Sequence, residues 1–271
     1  LKEFIQRTLS GAIFVAIMLT AIWYHAYSLV ALLMFLGVVA LTEFFNMNRL
    51  HEKKSLRFII LVGGLCILLI NFLVASGWFK PVYLLADIAI MMVLQILPML
   101  MDKTENFNRS FAFTTSALVY VLLPLSLIPF ICFLSGEYDF RLMFGFFILL
   151  WTFDSFAYLT GVLIGKHRIL PAISPKKSWE GFAGGLVFSV AMAYPVSLVF
   201  PILPFPEWMG LAIIIVVFGT LGDFLESSLK RNAGIKDSGR ILPGHGGILD
   251  RFDSVLFSIP FFYLYLALLI S

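Results

Sequence analysis

Residues 219–253 read GTLGDFLESSLKRNAGIKDSGRILPGHGGILDRFD. An apolar run ends at Gly222, and Asp223, Glu226, Lys230, Arg231, Lys236, Asp237, Arg240, Asp250, Arg251 and Asp253 follow. The runs on either side, 211–218 and 255–270, are strongly apolar. A loop that only turns the chain needs neither charges of both signs nor glycines at Gly234, Gly239, Gly244, Gly246 and Gly247. Glycine lets a backbone approach a ligand, and its N–H can face phosphate oxygens. Carboxylates beside it can hold a divalent metal, while Lys and Arg neutralise phosphate. Asp223, Ser227 and Lys230 fall at i, i+4 and i+7 on one helix face, with Glu226 adjacent. Asp250 and Asp253 share a face if the next segment is helical. Two acidic pairs on neighbouring helix ends, among Lys230, Arg231, Lys236, Arg240 and Arg251, suit metal-assisted phosphate chemistry. His245, between Gly244 and Gly246, serves equally as ligand, phosphate donor, general acid or turn cap. A salt-bridge network would explain the charges, but not PGHGG.

Two further clusters stand upstream. In WTFDSFAYLTGVLIGKHR, Asp154 and Tyr158 share a helix face that Gly161 and Gly165 continue. An acid inside an apolar span is a functional candidate by default, the bland alternative being a helix-to-helix pair. In Ser174-Pro175-Lys176-Lys177-Ser178-Trp179-Glu180-Gly181, proline fixes the backbone, and Ser178 and Glu180 stand where a helix begins. A helix N-terminus beside two lysines makes an anion site. The alternative is a positively charged membrane anchor with an interfacial tryptophan. Gly181, Gly184 and Gly185 permit close helix packing.

The elements that must position these groups are membrane helices. Of 271 residues, 61% are hydrophobic and 13% charged, with mean hydropathy +0.98. A soluble domain carries about 25% charged residues. Cys66 and Cys132 lie inside apolar runs and read as packing residues. The basic, apolar start has no small-residue cleavage site before a polar region, so it reads as a first span. The expected fold is all-α and polytopic, with nine spans at 8–24, 28–46, 57–78, 82–101, 110–135, 142–165, 181–201, 208–229 and 253–270. The connection near His25 is short, and the fourth span carries Asp87, Gln95 and Pro98. Pro98, Pro124, Pro129 and Pro195 are expected to kink helices rather than break them.

Under this layout 17 of the 19 basic residues fall on one side, and only Lys80 and Arg141 on the other. The bias puts the N-terminus inside and the C-terminus outside, with loops 165–181 and 230–252 in the cytoplasm. The chain then divides into N-terminal helices at 1–140, for structure or oligomerisation, and a catalytic region at 141–271.

The pattern Ser227-x-Leu229-Lys230-Arg231, then Lys236-Asp237-x-Gly239, then Leu242-Pro243-x-His245-Gly246-Gly247-Ile248-x-Asp250-Arg251-Phe252-Asp253 spans 27 residues. It resembles the signature of the phosphatidate cytidylyltransferase (CDP-diacylglycerol synthase) family. Asp154, Ala157, Tyr158 and Gly161 look like the same family, as do Ser174-Pro175-Lys176-Lys177 and Trp179-Glu180-Gly181. Ser178 stands where that family usually has Thr, which keeps the hydroxyl. The resemblance is specific from about residue 150 to 255. It implies a reaction of CTP with phosphatidic acid to CDP-diacylglycerol and pyrophosphate, requiring Mg²⁺ and leaving room for a second cation. On that basis Asp223, Asp250, Asp253 and Asp154 are the metal candidates, with Lys230, Arg231 and Arg251 at the reacting phosphates. Ser174, Lys176, Lys177, Glu180, Lys236, Asp237, His245, Gly246, Gly247 and Tyr158 are the substrate-binding candidates. The expected partners are the two substrates and the bilayer, with no nucleic acid, and small-residue helix faces leave room for a homodimer. The expected location is the inner (plasma) membrane, with the active site facing the cytoplasm. Two alternatives are a transporter of a phosphorylated solute and another CTP-dependent membrane lipid enzyme. Charges crowded on one side count against the transporter. The acidic spacing of CDP-alcohol phosphotransferases is absent.

Overall fold

The computed structural model describes residues 2–47, 54–101, 107–239, 241, 244 and 246–270. Arg49, Lys53, Lys103, Arg240, Leu242, Pro243 and His245 lie outside the described residues. The chain is helical almost throughout: α1 (Lys2–Tyr24), α2 (Ala26–Met47), α3 (Lys54–Ala75), α4 (Leu84–Met101), α5 (Phe107–Ser116), α6 (Leu123–Cys132), α7 (Arg141–Ile164), α8 (Trp179–Val199), α9 (Phe205–Ala233) and α10 (Leu249–Ile270). A π-helical segment, Ala117–Leu122, joins α5 and α6 into one run. Among the described residues seven helical segments are long and apolar enough to cross a bilayer, and two shorter apolar ones are Thr8–Tyr24 and Pro81–Leu97. Apolar runs of this length become helices because lipid offers no partner to a bare N–H or C=O.

The breaks and irregularities have local causes. α1 and α2 are parted by His25 alone, where the Ser28 hydroxyl accepts from the His25 N–H at 3.1 Å. That hydroxyl also lies 2.6 Å from the carbonyls of Ala21 and His25. The π segment ends two residues before Pro124, which has no N–H to continue the α ladder. Pro129, Pro195 and Pro260 all sit inside continuous helices, as expected for membrane spans.

By its contacts the chain forms two units, 1–138 with 233–252 and 139–232 with 253–271. The polar loop after α9 therefore packs with the N-terminal helices rather than with the region next to it in sequence. In the first unit small residues bring helices close: Gly37 meets Leu68, Gly63 meets Leu94 and Gly64 meets Leu122. Polar groups in these helices pair across them. The Asn71 amide donates to Asp87 at 2.5 Å, and Gln95 donates to Thr115 at 2.9 Å.

In the second unit α7 and α8 touch where Gly161 faces Gly181, and where Gly181, Gly184 and Gly185 face Ala157, Thr160 and Phe153. Close packing is thus a role these glycines do fill. The Trp208 ring is fully buried against Gly145, and its indole N–H donates to the Phe200 carbonyl at 3.3 Å. Gly219 and Gly222 bring α9 against Ser254 and Asp253 of α10, beside a stacked Phe218–Phe261 pair.

A Cβ at position 145 would overlap the rigid Trp208 ring. Gly145→Ala is expected to cost about 1–3 kcal/mol, the usual penalty for overpacking. Thermal unfolding in detergent checks this; an unchanged midpoint would mean that the ring moves aside freely.

Candidate functional site

The 165–181 segment, expected as a plain loop, folds as a small antiparallel hairpin. β1 (Arg168–Leu170) pairs with β2 (Ser174–Ser178), with Arg168 opposite Ser178. Ser178 is the N-cap of α8 and accepts the Gly181 N–H at 3.1 Å. Two of the N–H groups at this helix start are thereby taken within the chain, Gly181's by Ser178 and Trp179's by the His167 carbonyl. Glu180, in the first turn of α8, accepts the N–H groups of Lys166 at 3.1 Å and His167 at 3.2 Å. It also meets His167 Nδ1 at 2.6 Å. One carboxylate thus anchors the entry of the hairpin to the helix that leaves it. Ser174 opens β2 opposite Leu170, where it frames the hairpin.

A cavity of about 410 Å³ opens beside this hairpin. Asp154 and Tyr158 of α7, Lys176 and Lys177 of β2, and Asp223 of α9 all line it. The shared face expected for Asp154 and Tyr158 is real, and both lysines join it. Lys177 is ion-paired with Asp223 and stands 5.0 Å from the centre of the Phe224 ring. Ser227 donates to the other Asp223 oxygen at 3.3 Å. Asp154, Asp253 and Asp223 are all within electrostatic reach of this one lysine. Arg168 and Thr220 line the same cavity and were not singled out from sequence. Arg168 donates to the Lys176 carbonyl across the hairpin at 2.7 Å, a pairing that becomes visible only once the strands are known. Lys230 pairs with the buried Glu226 one turn back. Arg231 is exposed.

The remaining candidates lie in the first unit. Lys236, Asp237 and Arg251 are exposed. Gly234, Gly244 and Gly246 take φ of 71°, 76° and 82°, which other residues rarely adopt. Asp250 accepts the N–H of Ser238 at 2.9 Å and of Gly247 at 2.7 Å. The Gly247 N–H, expected toward phosphate, is therefore engaged within the loop. Glu43, which sequence reading passed over, accepts the N–H groups of Ile248 at 3.0 Å and Leu249 at 2.9 Å. Its signal was in view, as an acid inside an apolar span.

The model of the cytidylyltransferase family matches residues 5–269. The chain belongs to the cytidylyltransferase family. It is similar to the phosphatidate cytidylyltransferase of Bacillus subtilis, at 36% identity over 97% of each chain. It is likewise similar to those of Staphylococcus haemolyticus and Staphylococcus aureus, at 35% identity over 94% of this chain and 95% of each relative. The match covers the N-terminal helices as well, beyond the reach of the motifs at 150–255.

A cytidylyltransferase is a nucleotidyltransferase, and it must hold polyphosphate beside a second anion. Among the described residues no three carboxylate, imidazole or thiol groups converge as a metal site. A Mg²⁺ ion commonly needs only one or two carboxylates, completed by water and substrate phosphates. Asp154, Asp223 and Asp253 are hard oxygen donors and fit such an ion in kind. In this state the Lys177 ammonium supplies the positive charge among them.

Glu180→Gln keeps the shape but removes the charge that gathers Lys166 and His167. The variant is expected to insert normally, to be cleaved faster by protease within 166–178 and to lose activity. Parent-like protease resistance would show that the hairpin stands without its clamp.

Proposed function

We propose that this chain transfers the cytidylyl group of CTP to phosphatidate, giving CDP-diacylglycerol and pyrophosphate. The observation that carries the reading is Lys177, set among Asp154, Asp223 and Asp253 at a cavity that also receives Lys176 and Arg168. The phosphatidate oxygen attacks the α-phosphorus of CTP, the bond to the β-phosphate breaks, and pyrophosphate leaves. A phosphate monoester with a second pKa near 6 is already largely ionised at neutral pH, so no serine, cysteine or general base is required. What the reaction needs is charge neutralisation and in-line placement of two anions. Lys176, Lys177 and Arg168 serve this at the cavity, and Lys230, Arg231 and Arg251 hold further phosphate oxygens. Lys177 exchanges its Asp223 partner for substrate phosphate. Asp223, Asp250, Asp253 and Asp154 are the candidate carboxylates for Mg²⁺, or for a pair of cations. Such an ion, once bound, supplies further neutralisation at the transferred phosphoryl group.

In this reading the protein sits in the inner (plasma) membrane with the cavity toward the cytoplasm, as the 17-to-2 division of basic residues supports. Residues 141–271 carry most of the chemistry, and 1–140 frame it and offer a surface for a homodimer.

Purified enzyme given phosphatidate and CTP labelled at the α-phosphate is expected to put label into a chloroform-soluble product. A transporter gives none, and a phosphotransferase needs CDP-lipid instead, so either result would sink the proposal. Lys177→Arg is expected to insert normally and to lose activity about tenfold or more, because a planar guanidinium does not reproduce a compact ammonium. Parent-like turnover would return Lys177 to a membrane-anchoring role. For orientation, single cysteines at Lys166 and Glu137 are compared in a background lacking Cys66 and Cys132. An impermeant reagent on intact cells should label Glu137→Cys and spare Lys166→Cys, and the reverse pattern would invert the topology.

A further inference from the structure

Glu43 is a buried acid that the reaction, as read above, does not use. It sits on α2 at 3% exposure. Its Oε1 accepts the Ile248 N–H, and its Oε2 accepts the Leu249 N–H and the Ser238 hydroxyl, the last at 3.3 Å. Among the described residues no cation is ion-paired with it. A buried carboxylate is costly unless donors replace its water. Here the donors come from the start of α10, whose macrodipole also favours an anion. The same carboxyl sets the composition of the loop. A Cβ on Gly239 or Gly247 would run into it, and these are two of the five loop glycines.

The bland account is a fold anchor, and an apolar side chain would anchor α2 at lower cost. What Glu43 grips is the buried turn into α10, Ile248 and Leu249, together with Ser238, in the segment that carries Asp237, Gly246 and Asp250. Ser238 is gripped twice, through its hydroxyl by Glu43 and through its N–H by Asp250. Glu43 thus acts on Asp250 through one shared residue and the two N–H groups that precede it in the chain.

We propose that Glu43 is a positioning residue for the cytidylyl transfer: standing where an anion would sit at the start of α10, its carboxylate fixes Ser238 and the turn 247–249, and through them Asp250. The inference rests on the reading that this loop belongs to the reaction centre. Phosphate is accordingly not bound by the Ile248 and Leu249 N–H groups, which Glu43 already holds. The loop's other groups are presented to substrate on a backbone set in advance.

The test is amide exchange and steady-state kinetics on the full-length enzyme in detergent, with and without CTP. Glu43→Gln keeps the volume but turns one acceptor into a donor that faces a backbone N–H. It is expected to insert and melt like the parent, to exchange faster in 237–249, and to lose kcat by about tenfold or more with KM for CTP within about threefold. Gly239→Ala should also lower kcat, and adding Glu43→Asp, which withdraws the carboxyl by one methylene, should restore part of the loss. Should Glu43→Gln fail to insert, Glu43→Asp carries the same measurements. If CTP protects the parent loop and Glu43→Gln still matches the parent in exchange and in kcat, Glu43 does not position the reaction. If CTP leaves exchange of the parent loop unchanged, the loop is not part of the centre, and both readings fall.

Discussion

Outside its helices this chain depends on carboxylates that collect backbone N–H groups. Glu180 takes those of Lys166 and His167, Asp250 those of Ser238 and Gly247, and Glu43 those of Ile248 and Leu249. Each set lies where the chain leaves regular structure and cannot satisfy its own donors. An unsatisfied buried N–H costs roughly 1–3 kcal/mol, so a polar loop at a membrane surface is only as ordered as its acceptors are fixed. Here the acceptors stand on membrane helices, the most constrained parts of the fold. Loop geometry is inherited from the bilayer-spanning frame.

The cavity works by the opposite arrangement, holding charges that are only partly neutralised. Lys177 is one ammonium within reach of three aspartates, and about a third of its side chain remains accessible. Lys176 and Arg168 line the same cavity, so acids and bases stand side by side in it. The Lys177 ammonium also lies over the Phe224 ring, a second favourable contact for its charge.

The spans were legible because lipid imposes one rule on every residue of a helix, and 20-residue apolar runs have few other readings. The approach of Asp154 and Tyr158 was legible from a four-residue spacing. The hairpin was not: SPKKS carries no apolar alternation, and its pairing depends on an arginine and a glutamate outside the strand. The loop glycines were legible as close-approach positions, but not their target. Approach to a ligand and approach to a buried side chain put the same demand on the backbone, and Gly247 meets Glu43 and Ser238. Glu43 lies 205 residues before Ile248, a distance over which no periodicity in the sequence can speak.

That same distance governs how the molecule matures. Helices enter a bilayer in the order of synthesis, and α2 arrives early with a carboxyl whose acceptor sites stay unfilled until residues 238–249 emerge. The first unit is therefore completed almost last, by a segment inserted between two parts of the second. Until then the Glu43 carboxylate lacks the N–H donors that satisfy it in the finished fold.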